Sequence, residues 1–179
     1  REAAMIEKLE KRDFDKVFAL LEDSFPPDEY RTYEEHKAQL DNKCYTIYAL
    51  HDGERLKAFI SVWEFETFAY VEHFAVHPEY RSGGLGAKML GELVARIGKT
   101  VCLEVEPPET ETARKRIGFY ERNGFYLNDY PYIQPPMSEG KNELPLLIMT
   151  SGGKVDKKTF DMMKTTLYEK VYKYNKRGK

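Results

Sequence analysis

Three glycines in one short span are the residues of this chain whose spacing best suits ligand binding. They lie in Arg81-Ser-Gly-Gly-Leu-Gly-Ala87, after an apolar run that stops at Pro78 and before an amphipathic run. Because glycine has no Cβ, the turn leaves backbone N–H groups open to an anion, and the helix that follows adds the positive end of its dipole. The turn therefore predicts a pyrophosphate site, although glycines before a helix also occur in plain turns. The spacing is neither a dinucleotide fingerprint nor a Walker loop.

The same spacing, Arg81-x-x-Gly84-x-Gly86 after Phe-Ala-Val-His-Pro, resembles the coenzyme A signature of the GNAT superfamily of acyl-CoA-dependent N-acyltransferases. Downstream, Tyr120-Glu-Arg-Asn-Gly-Phe125 is similar to the end of the family's second conserved block. The resemblance covers roughly residues 44–130. It implies an N-acetyltransferase that moves an acetyl group from acetyl-CoA to a primary amine of a small molecule or peptide. The family reaction is direct attack, without a covalent enzyme intermediate and without a metal.

The resemblance also implies which residues hold the coenzyme. In the family the fourth strand splays from the fifth, and its backbone groups receive the pantetheine arm, so Phe74, Ala75 and Val76 are expected there, with the Val76 N–H as oxyanion donor. The amides of the turn are expected to hold the pyrophosphate: Arg81, Ser82, Gly83, Gly84, Leu85, Gly86 and Ala87. Many relatives carry an asparagine where this chain has Ala113. Arg114, Lys115 and Arg116 lie beside it and could hold the 3′-phosphate, with Arg116 as the candidate, the alternative being a solvated charged face.

Catalytic roles follow from the same comparison. Tyr120 occupies the family's tyrosine position near the thioester sulfur and is the candidate general acid. Two strand glutamates are candidate bases. Glu72 lies four residues before Val76, which puts both on one face of a strand. Glu104 lies in Leu-Glu-Val, which resembles the segment that supplies the base in ribosomal-protein N-terminal acetyltransferases. Its separation from Tyr120 along the chain is longer than expected in those relatives. Either could act through water, and either could instead be a structural or rim group.

The acceptor amine is expected near the loop Ser24-Phe-Pro-Pro-Asp-Glu-Tyr-Arg31. Family members form the acceptor cleft from this loop and the last strands, which makes Phe25, Glu29, Tyr30 and Tyr132 candidate substrate-binding residues. Asp28 and Glu29 would attract a cationic amine, or Asp28 would simply cap the second helix. The proline-bearing connection 130–143 is either a lid or a surface excursion.

Patterns along the rest of the chain predict the elements that position these residues. We expect helices over 13–25, 28–40, 84–97 and 111–123, and strands over 4–10, 44–51, 56–65, 68–77, 100–106, 125–133 and 144–150. This order is mixed α/β. It matches the fold that the resemblance implies, a GNAT-like mixed, mostly antiparallel central sheet flanked by helices.

An extra C-terminal helix is expected beyond that fold. Apolar residues recur at helical spacing in 155–175, namely Phe160, Met163, Leu167, Val171 and Tyr174. The predicted organisation is a GNAT N-acetyltransferase domain over 1–152 and an appended amphipathic helix within 153–179. The stripe is expected to pack on its own domain, with a homodimer contact as the alternative.

Composition bounds the remaining possibilities. With 179 residues, of which 41% are hydrophobic, the chain can bury a full core without disulfides. A net charge of −2 gives no general attraction to nucleic acid or to anionic membranes, so we expect neither as a partner. No apolar run approaches 18 residues and no signal-peptide pattern opens the sequence, so we expect a cytoplasmic protein. Cys44 and Cys102 lie in apolar runs typical of buried thiols. His73 and His77 would lie about 13 Å apart on a strand, too far to share a metal ion.

One rival function remains at this point. A non-catalytic acyl-CoA-binding sensor module would need the same glycine turn. It would not need Tyr120 or the two strand carboxylates, so their presence favours an enzyme.

Overall fold

The computed structural model describes residues 5–174, which form two compact units. The first unit comprises the chain up to Pro26 together with Thr32–Val101, and the second comprises Pro27–Arg31 together with the chain from Cys102 onward. The start of the domain predicted over 1–152 and the end of the segment predicted over 153–179 lie outside the described residues. That division stays a prediction.

The first unit contains most of the sheet and three helices. Its elements in chain order are β1 (Glu7–Lys8), α1 (Phe14–Ser24), α2 (Tyr33–Gln39), β2 (Tyr45–Asp52), β3 (Arg55–Glu64), β4 (Phe68–Val76) and α3 (Leu85–Ile97). The four strands pair antiparallel with their neighbours in chain order, so β4 lies beside β3. Residue Ala58 of β3 faces Val76 at the end of β4.

Apolar periodicity explains the core of this unit. Residues three and four apart on α1 are buried, and α3 buries a similar stripe. These are Phe14, Val17, Leu20 and Leu21 on α1 and Met89, Leu90 and Leu93 on α3. The central strand β3 is buried along most of its length, as a strand covered on both faces must be.

The second helix begins later than predicted. We expected it from Asp28, but α2 begins at Tyr33, and residues Pro27–Glu29 form a separate turn of 3₁₀ helix. Thr32 caps α2 in a capping box. Its hydroxyl accepts from the Glu35 backbone N–H, and the Glu35 carboxylate accepts from the Thr32 backbone N–H. The interpretation of Asp28 as the cap was therefore wrong.

The second unit contains β5 (Thr100–Val105), most of which lies within it, α4 (Glu111–Arg122), β6 (Phe125–Gln134), β7 (Leu144–Ser151) and α5 (Lys157–Thr166). Strand β7 pairs antiparallel with both β5 and β6. The β6–β7 register shifts between Asn128 and Tyr132, and this irregularity admits Pro131, which has no N–H for the ladder.

This irregularity corrects the prediction for residues 130–143. Because β6 continues to Gln134 beyond the shift, Tyr130 and Tyr132 lie in a strand, and the connection is limited to 135–143. Pro131 was expected to lie within the connection. It instead marks the irregular part of the strand.

The C-terminal segment packs within the second unit. Phe160, Met163, Leu167 and Val171 are buried, as the stripe predicted, but Tyr174 is 38% exposed. The helix does not continue to Tyr174, because the π-helical turn over Leu167–Val171 that follows α5 is the last helical turn before Lys173, which has φ of +53°. The buried position falls on Tyr172 instead.

The predicted fold class, a mixed and mostly antiparallel sheet flanked by helices with an extra C-terminal helix, is confirmed by these elements. Over residues 5–174, the helices all fall short of the length and hydropathy needed to cross a bilayer.

Candidate active site

The glycine turn follows β4 in the chain and opens toward solvent. His77 and a single 3₁₀ turn over Pro78–Tyr80 separate the strand from the turn. Gly84 is the N-cap of α3 and has φ of +77°, a left-handed conformation that glycine adopts without strain. A Cβ built on Gly83 or on Gly84 would meet no protein atom within 4 Å. The N-terminus of a 13-residue helix is therefore accessible to an anion.

Two further features describe the conformation of this turn. The Arg81 guanidinium donates from Nε to the Val76 carbonyl oxygen at 2.8 Å, which ties the turn to the end of β4. Ser82 has φ of +79°, a conformation that costs a residue with a Cβ some free energy. Strain of this kind often occurs where a loop is shaped for a ligand. The bond to Arg81 uses the carbonyl of Val76 and leaves its N–H, the expected oxyanion donor, out of that contact.

The end of β4 carries three further residues that are expected to bind the coenzyme; the strand is present as predicted, and their role stays a prediction. Phe74, Ala75 and Val76 form the last three residues of the strand and face Ile60, Phe59 and Ala58 of β3 in register. Ala75 is buried, while Phe74 and Val76 are half-buried.

Glu72, one of the two candidate bases, is hydrogen-bonded to an indole. Trp63 on β3 is 1% exposed and donates from Nε1 to Glu72 Oε1 at 3.0 Å. His73, the next residue, points to a different environment. Its ring is buried against Phe25 and His36, with centroid separations of 4.9 Å and 5.4 Å. The sequence interpretation of His73 as a packed strand residue is consistent with this.

Glu104, the other candidate base, is held by two phenols in the second unit. The hydroxyl of Tyr132 on β6 donates to Oε2, and the hydroxyl of Tyr172 lies 2.8 Å from both carboxylate oxygens. Tyr132 is 3% exposed, and burial together with the nearby Glu104 charge raises its pKa well above the usual value. Tyr132 therefore remains a neutral donor, and a carboxylate accepts from such donors.

Tyr172 is a residue that the sequence analysis missed. Helical spacing selected Val171 and Tyr174 for the buried stripe and placed Tyr172 between them, off the stripe. A cluster of tyrosines near the end of the chain was the one visible signal. It carries no information about which of them turns inward, because that depends on the π-helical turn.

Tyr120, the candidate acid, lies on α4 with its ring against Phe119 and Phe125. Burial raises the pKa of Tyr120 to about 12, with Arg116 acting in the opposite direction. The phenol is therefore protonated at neutral pH, as a general acid must be before it donates. Arg116 is exposed on the same helix.

The predicted acceptor loop divides between the two units. Phe25 belongs to the first unit and packs on His73. In the second unit, Glu29 has a pKa raised to about 7, because it is desolvated and has Glu106 and Asp28 nearby, with Arg116 opposing. Tyr30 lies beneath the Lys141 ammonium, whose Nζ is 4.6 Å from the ring centroid.

The connection 135–143 is hydrogen-bonded to Asp28 of the predicted acceptor loop. The Asp28 carboxylate accepts from the backbone N–H of Asn142 at 3.0 Å and from its side-chain amide at 3.1 Å. These bonds lower the pKa of Asp28, so it stays ionised. The structure thus brings Glu29, Tyr30 and the 135–143 connection together within one unit.

Comparison with known proteins places this arrangement in context. The model of the Acetyltransferase (GNAT) family matches residues 5–125. A solved structure from Bacteroides thetaiotaomicron, described as a "Putative acetyltransferase from GNAT family", is 35% identical with a TM-score of 0.85, and the match covers 94% of this chain and 98% of that one.

Two further proteins are similar over most of the chain. The "Putative acetyltransferase YjbC" of Bacillus subtilis (strain 168) is 28% identical over 159 residues, covering 86% of this chain and 80% of the relative. An aminoglycoside 6′-N-acetyltransferase, solved with coenzyme A, is 19% identical with a TM-score of 0.58, and covers 83% of this chain and 96% of its own. At this level of identity, the likeness concerns the fold alone.

Proposed function

The chain belongs to the GNAT family of acetyltransferases, and from this premise we propose that it transfers an acetyl group from acetyl-CoA to a primary amine of a small molecule or peptide by direct attack. The observation that carries the proposal is the open glycine turn at the N-terminus of α3. Its left-handed Gly84 and the empty space above Gly83 suit a pyrophosphate.

We assign coenzyme binding to backbone groups first. The amides from Arg81 through Ala87 would hold the pyrophosphate, and the end of β4 over Phe74, Ala75 and Val76 would bond the pantetheine amides. Arg116, which is exposed and cationic, would pair with the 3′-phosphate.

The proposed reaction forms a C–N bond and breaks a C–S bond. The neutral amine attacks the thioester carbonyl, and the Val76 N–H stabilises the oxyanion that develops. Collapse of this tetrahedral species expels the coenzyme thiolate, which takes a proton from Tyr120. The proton lost by the amine passes to a carboxylate, directly or through water.

We favour Glu104 over Glu72 as that carboxylate. Glu72 Oε1 accepts from an indole N–H, which can only donate, so protonation of that oxygen would oppose the existing contact. Glu104 is contacted by two hydroxyls, which both donate and accept and can rearrange when the proton arrives. Glu72 stays as the alternative base.

The acceptor would be a cationic amine before it loses its proton. Glu29 gains negative charge as pH passes through its pKa of about 7, and would attract such an amine electrostatically, with Tyr30 and Phe25 supplying apolar contact. Tyr132 was predicted to bind substrate directly. Its buried hydroxyl on Glu104 suggests that it would act through that carboxylate.

Variants of the turn test coenzyme binding. Gly83→Val adds a side chain where no protein atom lies within 4 Å and where φ is not positive, so it should preserve the fold and obstruct the pyrophosphate. Gly84→Val adds strain as well, and Gly53→Val is its matched control, with φ of +62°, open surroundings and a position in the β2–β3 turn. Calorimetry should show loss of acetyl-CoA affinity for the first two variants and unchanged affinity for the control.

Thiol release measured with a panel of amines, with products read by mass shift, tests the reaction itself. Tight acetyl-CoA binding without turnover on any amine would indicate a sensor module rather than an enzyme. Glu104→Gln and Glu72→Gln then identify the base. We expect Glu104→Gln to depress the rate most at low pH, with partial recovery as pH approaches the pKa of the amine. The same behaviour in Glu72→Gln, with Glu104→Gln unaffected, would move the base to β4.

A further inference from the structure

Tyr172 lies outside the family match and yet contacts a residue of the proposed reaction. Its hydroxyl is 2.8 Å from Oε1 and 2.8 Å from Oε2 of Glu104, and the residue is 3% exposed. The family model ends at residue 125. A contact to both oxygens restricts the rotation of the carboxylate, and exclusion of water strengthens each bond.

A specific local structure delivers this hydroxyl. The Tyr172 N–H donates to the Leu167 carbonyl at 3.0 Å, a bond across five residues that closes the π-helical turn. In a continued α-helix, residue 171 would lie above Leu167 and residue 172 would point about 100° further around the axis. The wider turn instead places Tyr172 over the buried stripe. Such turns occur frequently at functional sites.

The end of the turn is also anchored from the acceptor loop. Arg31, which is 4% exposed, donates from Nη2 to the Val171 carbonyl at 3.1 Å. This arginine directly follows the Pro27–Glu29 turn and Tyr30. This hydrogen bond links the backbone of the residue before Tyr172 to the loop that carries Glu29.

We propose that Tyr172 is a positioning residue for proton removal, in which its hydroxyl orients the Glu104 carboxylate and stabilises its ionised form. This inference rests on the proposed function with Glu104 as base. The segment after β7 then contributes to the site, because it supplies a phenol that contacts the carboxylate.

Other titratable groups lie near Glu104, and the test must distinguish their effects from the effect of Tyr172. Tyr132 on β6 donates to the same carboxylate, Tyr168 lies close enough for its pKa to be raised by the Glu104 charge, and the buried Cys102 thiol is affected in the same direction. Tyr168 donates its own hydrogen bond to the Ile133 carbonyl. It therefore anchors the C-terminal segment without donating to Glu104.

The experiment compares Tyr172→Phe with Tyr168→Phe in the full-length protein. Each variant removes one hydroxyl from the same segment and keeps the ring. We measure the pH dependence of kcat/KM by thiol release and, independently, the titration of the Glu104 carboxyl by ¹³C NMR. Thermal unfolding shows whether each variant is folded.

Tyr172→Phe removes a hydrogen bond to a charged group, so the apparent pKa of the acidic limb of its rate profile should rise by about one unit. At pH values below that limb, kcat/KM should then be about tenfold lower than in the wild type. The NMR midpoint should move in the same direction. Tyr132→Phe should shift both readouts with the same sign, and Tyr168→Phe should leave both unchanged.

Two results would overturn the inference. The first is a Tyr172→Phe profile of unchanged shape that is only scaled down, which is what a structural role produces. The second is an unchanged Glu104 titration in that variant. Failure of the proposed function looks different, since the wild type would then release no thiol with any amine while the NMR titration still reports on the contact.

Discussion

Glu29 offers the sharpest test of the electrostatics of this protein, because its protonation and the stability of the fold should be linked. The pKa of Glu29 is raised from 4.5 to about 7, first by burial and then by Glu106 and Asp28. A raised pKa means that the folded state binds the proton more tightly than the unfolded chain does. The corresponding stabilisation is fully present below pH 4.5 and is lost as pH rises through about 7.

Replacing Glu29 with glutamine removes this linkage, because the amide resembles the protonated acid and does not titrate. At 1.36 kcal/mol per pH unit, the free energy of unfolding of Glu29→Gln relative to wild type should rise by about 2 to 3 kcal/mol between pH 5 and pH 8. The change with pH is the informative quantity, since any constant difference between amide and acid cancels.

Urea denaturation of both proteins at pH 5, 6, 7 and 8 measures this difference. Glu139→Gln, an exposed carboxylate on the 135–143 connection, is the matched control and should show an offset that does not vary with pH. A Glu29→Gln offset that is constant over the same range would refute the reasoning, and one that falls with pH would reverse its sign.

Three other changes test separate parts of the structure. Tyr120→Phe should lower kcat by about 10²- to 10⁴-fold with little change in acetyl-CoA affinity by calorimetry; equal losses in both would contradict its role as acid. Ser82→Gly should raise the free energy of unfolding by about 1 kcal/mol, because it relieves a side chain at φ of +79°, and a destabilised variant would argue against strain there. Thr32→Ala should lower it by about 1 kcal/mol through loss of the capping box, and an unchanged value would show that the cap is not needed.

The glycine turn and the two strand glutamates illustrate how far local patterns reach. The turn was predictable because its conformation depends on residues next to each other: an apolar strand, a proline, glycines able to adopt positive φ, and an amphipathic helix. The elements from β2 to α4 were predictable for the same reason, since their apolar periods of two and 3.6 residues are strong. The start of α2 was missed because Thr32 and Glu35 compete with Asp28 as capping signals.

What the sequence determined by itself is the family and the order of its elements, since both are written in short spacings along the chain. Only the tertiary structure decided which side chains contact each carboxylate. Glu104 meets Tyr172 across 68 residues, Asp28 meets Asn142 across 114, and the π-helical turn turns Tyr172 inward where an α-helix would have turned it away. Hydrogen bonding and desolvation depend on such distant neighbours, and no local period encodes them.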